Sequence, residues 1–281
     1  MAAVMKLRAP LPPDRTVRQL ENHFEVERAI ASRLKQVDRP ERAHIYRTMY
    51  HKLFEKVPDH PRLKRRDNPE RTAAISRARL RLLNRFINSS AVMVEFGPGD
   101  CRLSYELCRH VKSVYGVDLS DQRRNREDVP DNFRLLVYDG YNLALEKNSV
   151  DIFFSDQLIE HLHPEDTALH FQMVRDILKD GGVYVFCTPH KLTGPHDISK
   201  YFCKEPQGFH LKEWTYAELV CVLRGLGYRS WQGFWSFRSR SIRIPVWCFL
   251  LVERLLRLLP GSARRTFGRR FVGDICLAAF R

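Results

Sequence analysis

The chain contains no Cys-x-x-Cys pair, and its cysteines (Cys101, Cys108, Cys187, Cys203, Cys221, Cys248 and Cys276) are odd in number. Both facts weigh against a disulfide framework and favour a reducing compartment. No apolar run approaches the ~18 uncharged residues that would suggest a membrane span. Mean hydropathy is −0.39, so a polytopic membrane protein is not expected. Met1 to Arg15 lacks the apolar segment of a secretory signal, and a cytoplasmic location is expected. Internal repeats and low-complexity tracts are missing too. Acidic residues are scarce at both ends. Residues 1–90 hold 21 Lys/Arg against 10 Asp/Glu, residues 91–230 hold 16 against 21, and residues 231–281 hold 10 against 2. The net charge of +14 therefore sits on the two flanks, which suggests that the flanks meet something anionic.

What is present suits a folded chain. At 281 residues, with 44% hydrophobic and 28% charged, one large domain or two small ones can bury a core. Residues 15–88 have helical spacing. Glu21–Val37 and Glu41–Val57 are expected helices, the second started by Pro40 and carrying Ile45, Met49, Leu53 and Phe54. Pro58–Pro69, with three prolines and the basic run Arg62, Lys64, Arg65 and Arg66, is expected to be a loop. Asn68 caps the next helix, with Pro69 at its first position and Ile75, Leu80, Leu83 and Ile87 along it.

From Ala91 short β-rich runs alternate with helical segments. The runs are Val92–Phe96, Ser113–Asp118, Phe133–Tyr138, Val150–Ser155 and Val183–Cys187. Glu165–Lys179 aligns Leu169, Met173, Val174, Ile177 and Leu178 on one face and is stopped by Gly181-Gly182. Thr215 to Glu218 forms a capping box whose helix ends at Gly227. Runs near Trp231–Phe237 and Val272–Phe280 bring the strands to seven. The pattern predicts an α/β protein with a mainly parallel sheet covered on both faces. A helical extension over 1–90 would act as a lid or substrate wall to a main domain over 91–281.

The sharpest motif is Val94-Glu95-Phe96-Gly97-Pro98-Gly99-Asp100-Cys101, between a strand and a helix. Gly97 and Gly99 allow a tight turn and close approach to a ligand. Asp118 closes the second strand, where an acid accepts hydrogen bonds from ribose hydroxyls. A dinucleotide fingerprint would need glycine at position 102, which is Arg102. Glu95 at the strand's end suits a cationic cofactor instead, favouring S-adenosylmethionine over NAD.

These residues resemble class I S-adenosylmethionine-dependent methyltransferases, of the bacterial type 11/23 kind. Glu95 to Asp100 looks like motif I, and Gly116 to Ser120 the second-strand motif. Asp139-Gly140 resembles the third-strand acid, Ser149 to Leu162 the fourth strand and the segment after it, and Leu178 to Gly182 the turn before strand five. The resemblance spans about residues 91–230 and implies a Rossmann-like sheet with S-adenosylmethionine as cofactor. Glu95 would meet the cofactor's amino end, Gly97 and Gly99 its ribose and methionine, and Asp118 with Leu119 the ribose hydroxyls. Tyr138, Asp139 and Gly140 would sit beside adenine, and Asp156 and Gln157 near the reacting end. Cys101 departs from the third glycine of many members.

Methyl transfer from a sulfonium is an in-line displacement that alignment alone can promote, and an oxygen nucleophile often also uses a base. His161 is the first candidate, because the resembling Glu-His-Leu segment places it near the methyl donor. His196, beside Asp197 in the polar loop Thr188–Asp197, is the second. Paired zinc knuckles are lacking, so the expected metal set is none, although Cys187-x-x-His190 and His161-x-His163 invite the thought. No Asn/Asp-Pro-Pro-aromatic run follows the fourth strand, and no Pro-Cys dipeptide exists. Base methylation of nucleic acid is therefore disfavoured, with an RNA methyltransferase or an inactive binding protein as the alternatives. The expected acceptor is a sugar, glycolipid or small metabolite, modified on oxygen. Residues 242–260 look like an insertion. Trp247 and Phe249, flanked by Arg238, Arg240, Arg264, Arg265, Arg269 and Arg270, suit a peripheral membrane contact, with the charges at 253, 254 and 257 on one face.

Overall fold

The computed structural model describes residues 5–66, 68–123, 127–237 and 240–281; Arg238 lies outside them. Its centre is an eight-stranded sheet in the order β3-β2-β1-β4-β5-β8-β6-β7. Strands β1 (Val92–Phe96), β2 (Ser113–Asp118), β3 (Phe133–Val137), β4 (Val150–Asp156) and β5 (Leu178–Pro189) are parallel. Strands β6 (Ser230–Phe237), β7 (Arg240–Ile244) and β8 (Asp274–Phe280) complete the sheet in antiparallel pairings. The sequence leads one to expect seven strands; the eighth is β7. It folds back on β6 as a hairpin, with Phe237 opposite Arg240, and so takes the front of the segment expected to be a helical insertion.

Helices cover both faces. On one, α6 (Pro164–Ile177), α7 (Tyr216–Gly225) and α8 (Val246–Arg257) bury Phe171, Leu219 and Phe249 against Val94, Phe153 and Phe186 of the sheet. On the other, α4 (Pro69–Leu83) and α5 (Arg102–Leu107) bury Leu83, Leu103 and Leu107 against Met93, Phe154 and Val185. Such side chains contribute roughly 1.5–3 kcal/mol each when fully buried. The caps follow the sequence: Asn68 accepts from Arg71 N, and Thr215 and Glu218 close their reciprocal box.

Three local expectations are corrected. Pro58–Pro69 is not all loop: Pro61 starts α3 (Pro61–Arg66), because a first helical turn tolerates proline. Gly181-Gly182 does not stop α6, which ends at Ile177; both glycines lie inside β5, Gly181 with φ +78°. Cys187 and Cys276 form a disulfide, because the β5–β8 register sets them directly opposite each other. The other cysteines are free.

The amino-terminal helices α1 (Val17–Gln36) and α2 (Arg39–Lys56) pack across the carboxyl ends of the strands. Leu34, Met49 and Leu53 form a separate core with Phe209, Leu211 and Leu119. Arg42 anchors this layer through a buried ion pair, its Nε 2.9 Å from Asp166 Oδ2 at the start of α6.

Candidate functional site

The carboxyl ends of β1, β2 and β4 frame the glycine loop. Gly97 and Gly99 take left-handed φ of +67° and +57°. A Cβ on Gly99 would meet nothing within 4 Å, so this face of the loop is open to a ligand and glycine serves the backbone. Cys101 is left-handed as well (φ 61°) and precedes α5. That conformation accounts for the glycine otherwise expected there; the buried thiol is pushed up to about 12.

Asp118 ties the two motifs together. Its Oδ1 accepts from Leu119 N at 2.7 Å, and its Oδ2 from Gly99 N at 3.3 Å. Burial raises its carboxyl, and these amides and the charge of Arg62 oppose that. Leu119 turns its side chain into the core under α1 and α2, against Gly140. Glu95 is buried, with Ser104 Oγ donating to Oε2. Burial raises it to about 7, against that hydrogen bond; the nearby charges of Asp156, Asp100 and Asp118 raise it further. A buried acid with so little positive company favours a cationic ligand.

Two of the expected cofactor residues are engaged within the protein. Asp139 closes its own turn, accepting from Tyr141 N at 2.8 Å, Asn142 N at 2.7 Å and Asn142 Nδ2 at 2.6 Å. These bonds lower its carboxyl. Asp156 Oδ2 is held by Arg79 of α4, 2.5 Å from Nη2. Gln157 has φ +55° at the strand's end, its N–H bonded to Cys187 O. Strain of this kind gathers where a loop must present a group to a site.

The two histidines separate. His161 ends a 3-10 turn after β4 and packs beneath α2, edge-on to Tyr50 at 6.4 Å between ring centroids. Its Nδ1–H donates to Phe209 O at 3.0 Å, which leaves the Nε2 lone pair free. Burial and then the charge of His210 push it down to about 3. His196 lies apart, its Nε2 against Thr193 Oγ1 at 2.8 Å and its N–H on Glu213; burial lowers it. Gly194 makes room there, since a Cβ would lie 1.9 Å from Glu213 Oε2.

Arg79 was not singled out by the sequence; Glu160, His210 and Arg62 stand there only as part of a motif, as a histidine after strand five and as part of a basic run, with no role given to them at the site. Glu160 is fully buried and raised by burial to about 7; Thr188 donates to Oε2 and its Oε1 has no partner. Burial would lower His210, but its bond to Glu213 and the charges of Glu160 and Asp197 raise it to about 9. Arg62 bears electrostatically on both Asp118 and His161. The Glu160-His161 dipeptide was the available signal for the first. The two arginines reach the site only through the packing of α3 and α4.

Two clusters among the described residues could hold a metal ion, with ligand atoms within 4.8 Å of one another: His23/Glu27/His60 and Glu160/His161/His210. In the first, His23 already bonds Arg15 Nη1 and Glu27, and Glu27 accepts from Phe209 N. In the second, a protonated His210 supplies the positive charge that Glu160 lacks.

Comparison with known proteins bears on the fold that carries this site. Residues 94–186 match the model of a family described as Methyltransferase domain. The uncharacterized methyltransferase GWCH70_2477 of Geobacillus sp. (strain WCH70) is 28% identical over 100 residues, 35% of this chain and 47% of that protein. The chain thus spans about half the length of that curated relative. Among solved structures, an S-adenosylmethionine-dependent methyltransferase from Mesorhizobium loti aligns at TM-score 0.50 and 17% identity, over 73% of this chain and 98% of that one. YcgJ from Bacillus subtilis aligns at 0.50 and 14%, over 73% and 97%. A chain of the complex between the Trm112 methyltransferase activator of Haloferax volcanii and a methyltransferase aligns at 0.52 and 18%, over 73% and 88%. The fold is the Rossmann-like one of class I methyltransferases.

Proposed function

We propose that this chain, whose residues 94–186 match the methyltransferase-domain family model, transfers a methyl group from S-adenosylmethionine to an oxygen of a sugar, glycolipid or small metabolite. The observation that carries the reading is Asp118, whose carboxylate joins the glycine-loop amide of Gly99 to the end of β2. The residues present fit the cofactor. Gly99 leaves an open face, Asp118 offers ribose-binding oxygens, and Glu95 is a buried acid that a cation would ionise. When bound, the cofactor supplies an electrophilic methyl on a sulfonium.

The chain's own part is binding, orientation and exclusion of water. Gly97 and Gly99 admit the ligand close to the backbone. α1 and α2 roof the carboxyl ends of β2 and β4 as a lid over the acceptor side. His161 Nε2, unprotonated at neutral pH, receives the acceptor's proton as the new bond forms; because burial makes it a weak base, in-line alignment supplies the larger share of the acceleration. Among the described residues no helix is long and apolar enough to cross a membrane.

The test is calorimetric titration with S-adenosylmethionine, S-adenosylhomocysteine and NAD, on the native chain and Asp118→Ala. The expected result is micromolar binding of the first two, weakened about 30- to 100-fold by the substitution. Binding of NAD alone would overturn the reading.

A further inference from the structure

We propose that α8 and α9 (Gly261–Phe271) form a docking surface for an anionic lipid bilayer. α8 has two faces. Val246, Phe249, Glu253 and Leu256 are buried. Phe249 stacks on Tyr216 at 4.4 Å between centroids, and Glu253 accepts from His190 Nε2 at 2.8 Å and from the first amides of α7. The sequence suggested one charged face through 253, 254 and 257; the structure divides them, with Glu253 inside and both arginines outside. It divides Trp247 and Phe249 in the same way.

The outward face of α8 carries Trp247, Leu251, Leu255 and Leu258, which are 65%, 51%, 56% and 80% exposed. Their spacing of four, four and three residues puts them on one stripe. α9 closes onto α8 through Gly268, where a Cβ would lie 3.6 Å from Leu256 Cδ1. It adds Phe267 and Phe271, both half exposed and four residues apart. Single exposed apolar residues are ordinary, but four on one stripe of α8, with two more exposed phenylalanines on the helix packed against it, mark an interaction surface.

Charge selects the partner. Residues 240–273 hold eight arginines and one acid, and that acid, Glu253, is buried and already bonded. Arg254, Arg257, Arg269 and Arg270 are exposed. A second copy would set arginine against arginine with no acid to answer it. An anionic bilayer accepts both halves of the surface: apolar side chains enter the acyl boundary, and guanidinium groups remain at the phosphates. With twelve residues, about 18 Å long, α8 lies in such an interface and does not cross it.

The position links the surface to the acceptor side. Thr193, in the 3-10 turn after β5, packs against Gly268 of α9, its Cγ2 lying 2.7 Å from where a Cβ on that glycine would be. Thr193 and Gly268 are both buried, so docking sets the loop after β5 directly behind α9, one helix from the lipid surface. The docking itself does not need the methyl-transfer reading; joined to it, the acceptor becomes one carried in or on a membrane.

The experiment is co-sedimentation of the full chain with phosphatidylglycerol–phosphatidylcholine vesicles and with phosphatidylcholine alone, at low and high salt. Two variants accompany it: Trp247→Ser/Leu251→Ser/Leu258→Ser, and Arg254→Gln/Arg257→Gln/Arg269→Gln/Arg270→Gln. All these side chains are exposed, and titration with S-adenosylhomocysteine checks separately that the cofactor site is intact. Salt-sensitive binding to the anionic vesicles is expected, weakened roughly tenfold or more by either variant. No binding, or binding indifferent to both variants, overturns the proposal. A native dimer in sedimentation velocity that Leu258→Glu splits also overturns it, in favour of a second copy.

Discussion

Glu95, in the central strand β1, and Glu253, in the helix α8, are both buried acids, and they have been treated very differently. Glu253 accepts from His190, Tyr216 and Ala217, so it is a joint between α8, α7 and the loop after β5. Glu95 has the Ser104 hydroxyl as its hydrogen-bond partner, faces three other acids, and is pushed up to about 7. Burying an acid is tolerable only when its charge is answered. Where the protein answers it, the residue is structural. Where the protein leaves the answer out, a ligand is the natural supplier.

The comparison breaks most visibly at the joint. Glu253→Ala leaves His190 and two helix-start amides buried without their acceptor. A loss of roughly 3–5 kcal/mol is expected in chemical unfolding. A loss below about 1 kcal/mol would mean that α8 is held by Phe249 and Leu256 alone. Next in size is His161→Ala, expected to slow transfer by about tenfold, since burial makes this imidazole a weak base, while leaving S-adenosylhomocysteine affinity nearly unchanged. Unchanged turnover would remove His161 as the base.

Glu95 gives a comparable and pH-dependent effect. Its folded value of about 7 stands above the usual carboxyl value of 4.5. Between those pH values the folded chain keeps a proton that the unfolded chain has lost, so this group's contribution to stability falls as pH rises through that window. A bound ammonium group favours the ionised acid. S-adenosylhomocysteine affinity should therefore climb as pH rises towards and through 7, with proton release seen as a buffer-dependent heat. Glu95→Gln should weaken binding roughly tenfold and flatten both the affinity and the stability profiles. A variant that kept the native pH dependence would assign the proton elsewhere.

The parallel half of the sheet was legible in the sequence because its signals are local. β1 and β2 fall at the expected residues, being short β-rich runs bounded by glycine and polar turns, and the glycines and Asp118 follow from strand ends. The antiparallel edge was not. Arg240–Ile244 can be strand or helix until β6 is beside it, and α3 was hidden behind prolines that a first turn accepts. The Cys187–Cys276 disulfide depends on a register set by residues 89 positions apart. The acceptor side was the least legible. Glu160, His210 and Arg62 acquire their properties from burial and from one another, across segments far apart in the chain.

Arg79 and Asp156 offer the finest distinction. The family resemblance places Asp156 by the reacting end, yet its Oδ2 is held by Arg79 from the helix on the far face of the sheet, and its other oxygen is buried without a partner. If the pair is a strut, Arg79→Ala and Asp156→Asn should each cost about 1–3 kcal/mol of stability, and neither should alter transfer. If Asp156 also meets the acceptor, Asp156→Asn alone should lower turnover, with cofactor affinity unmoved. Unfolding curves and single-turnover rates on the two variants separate these outcomes. They would decide whether this acid belongs with Glu253, as a group whose charge is met within the fold, or with Glu95, as one kept for a ligand.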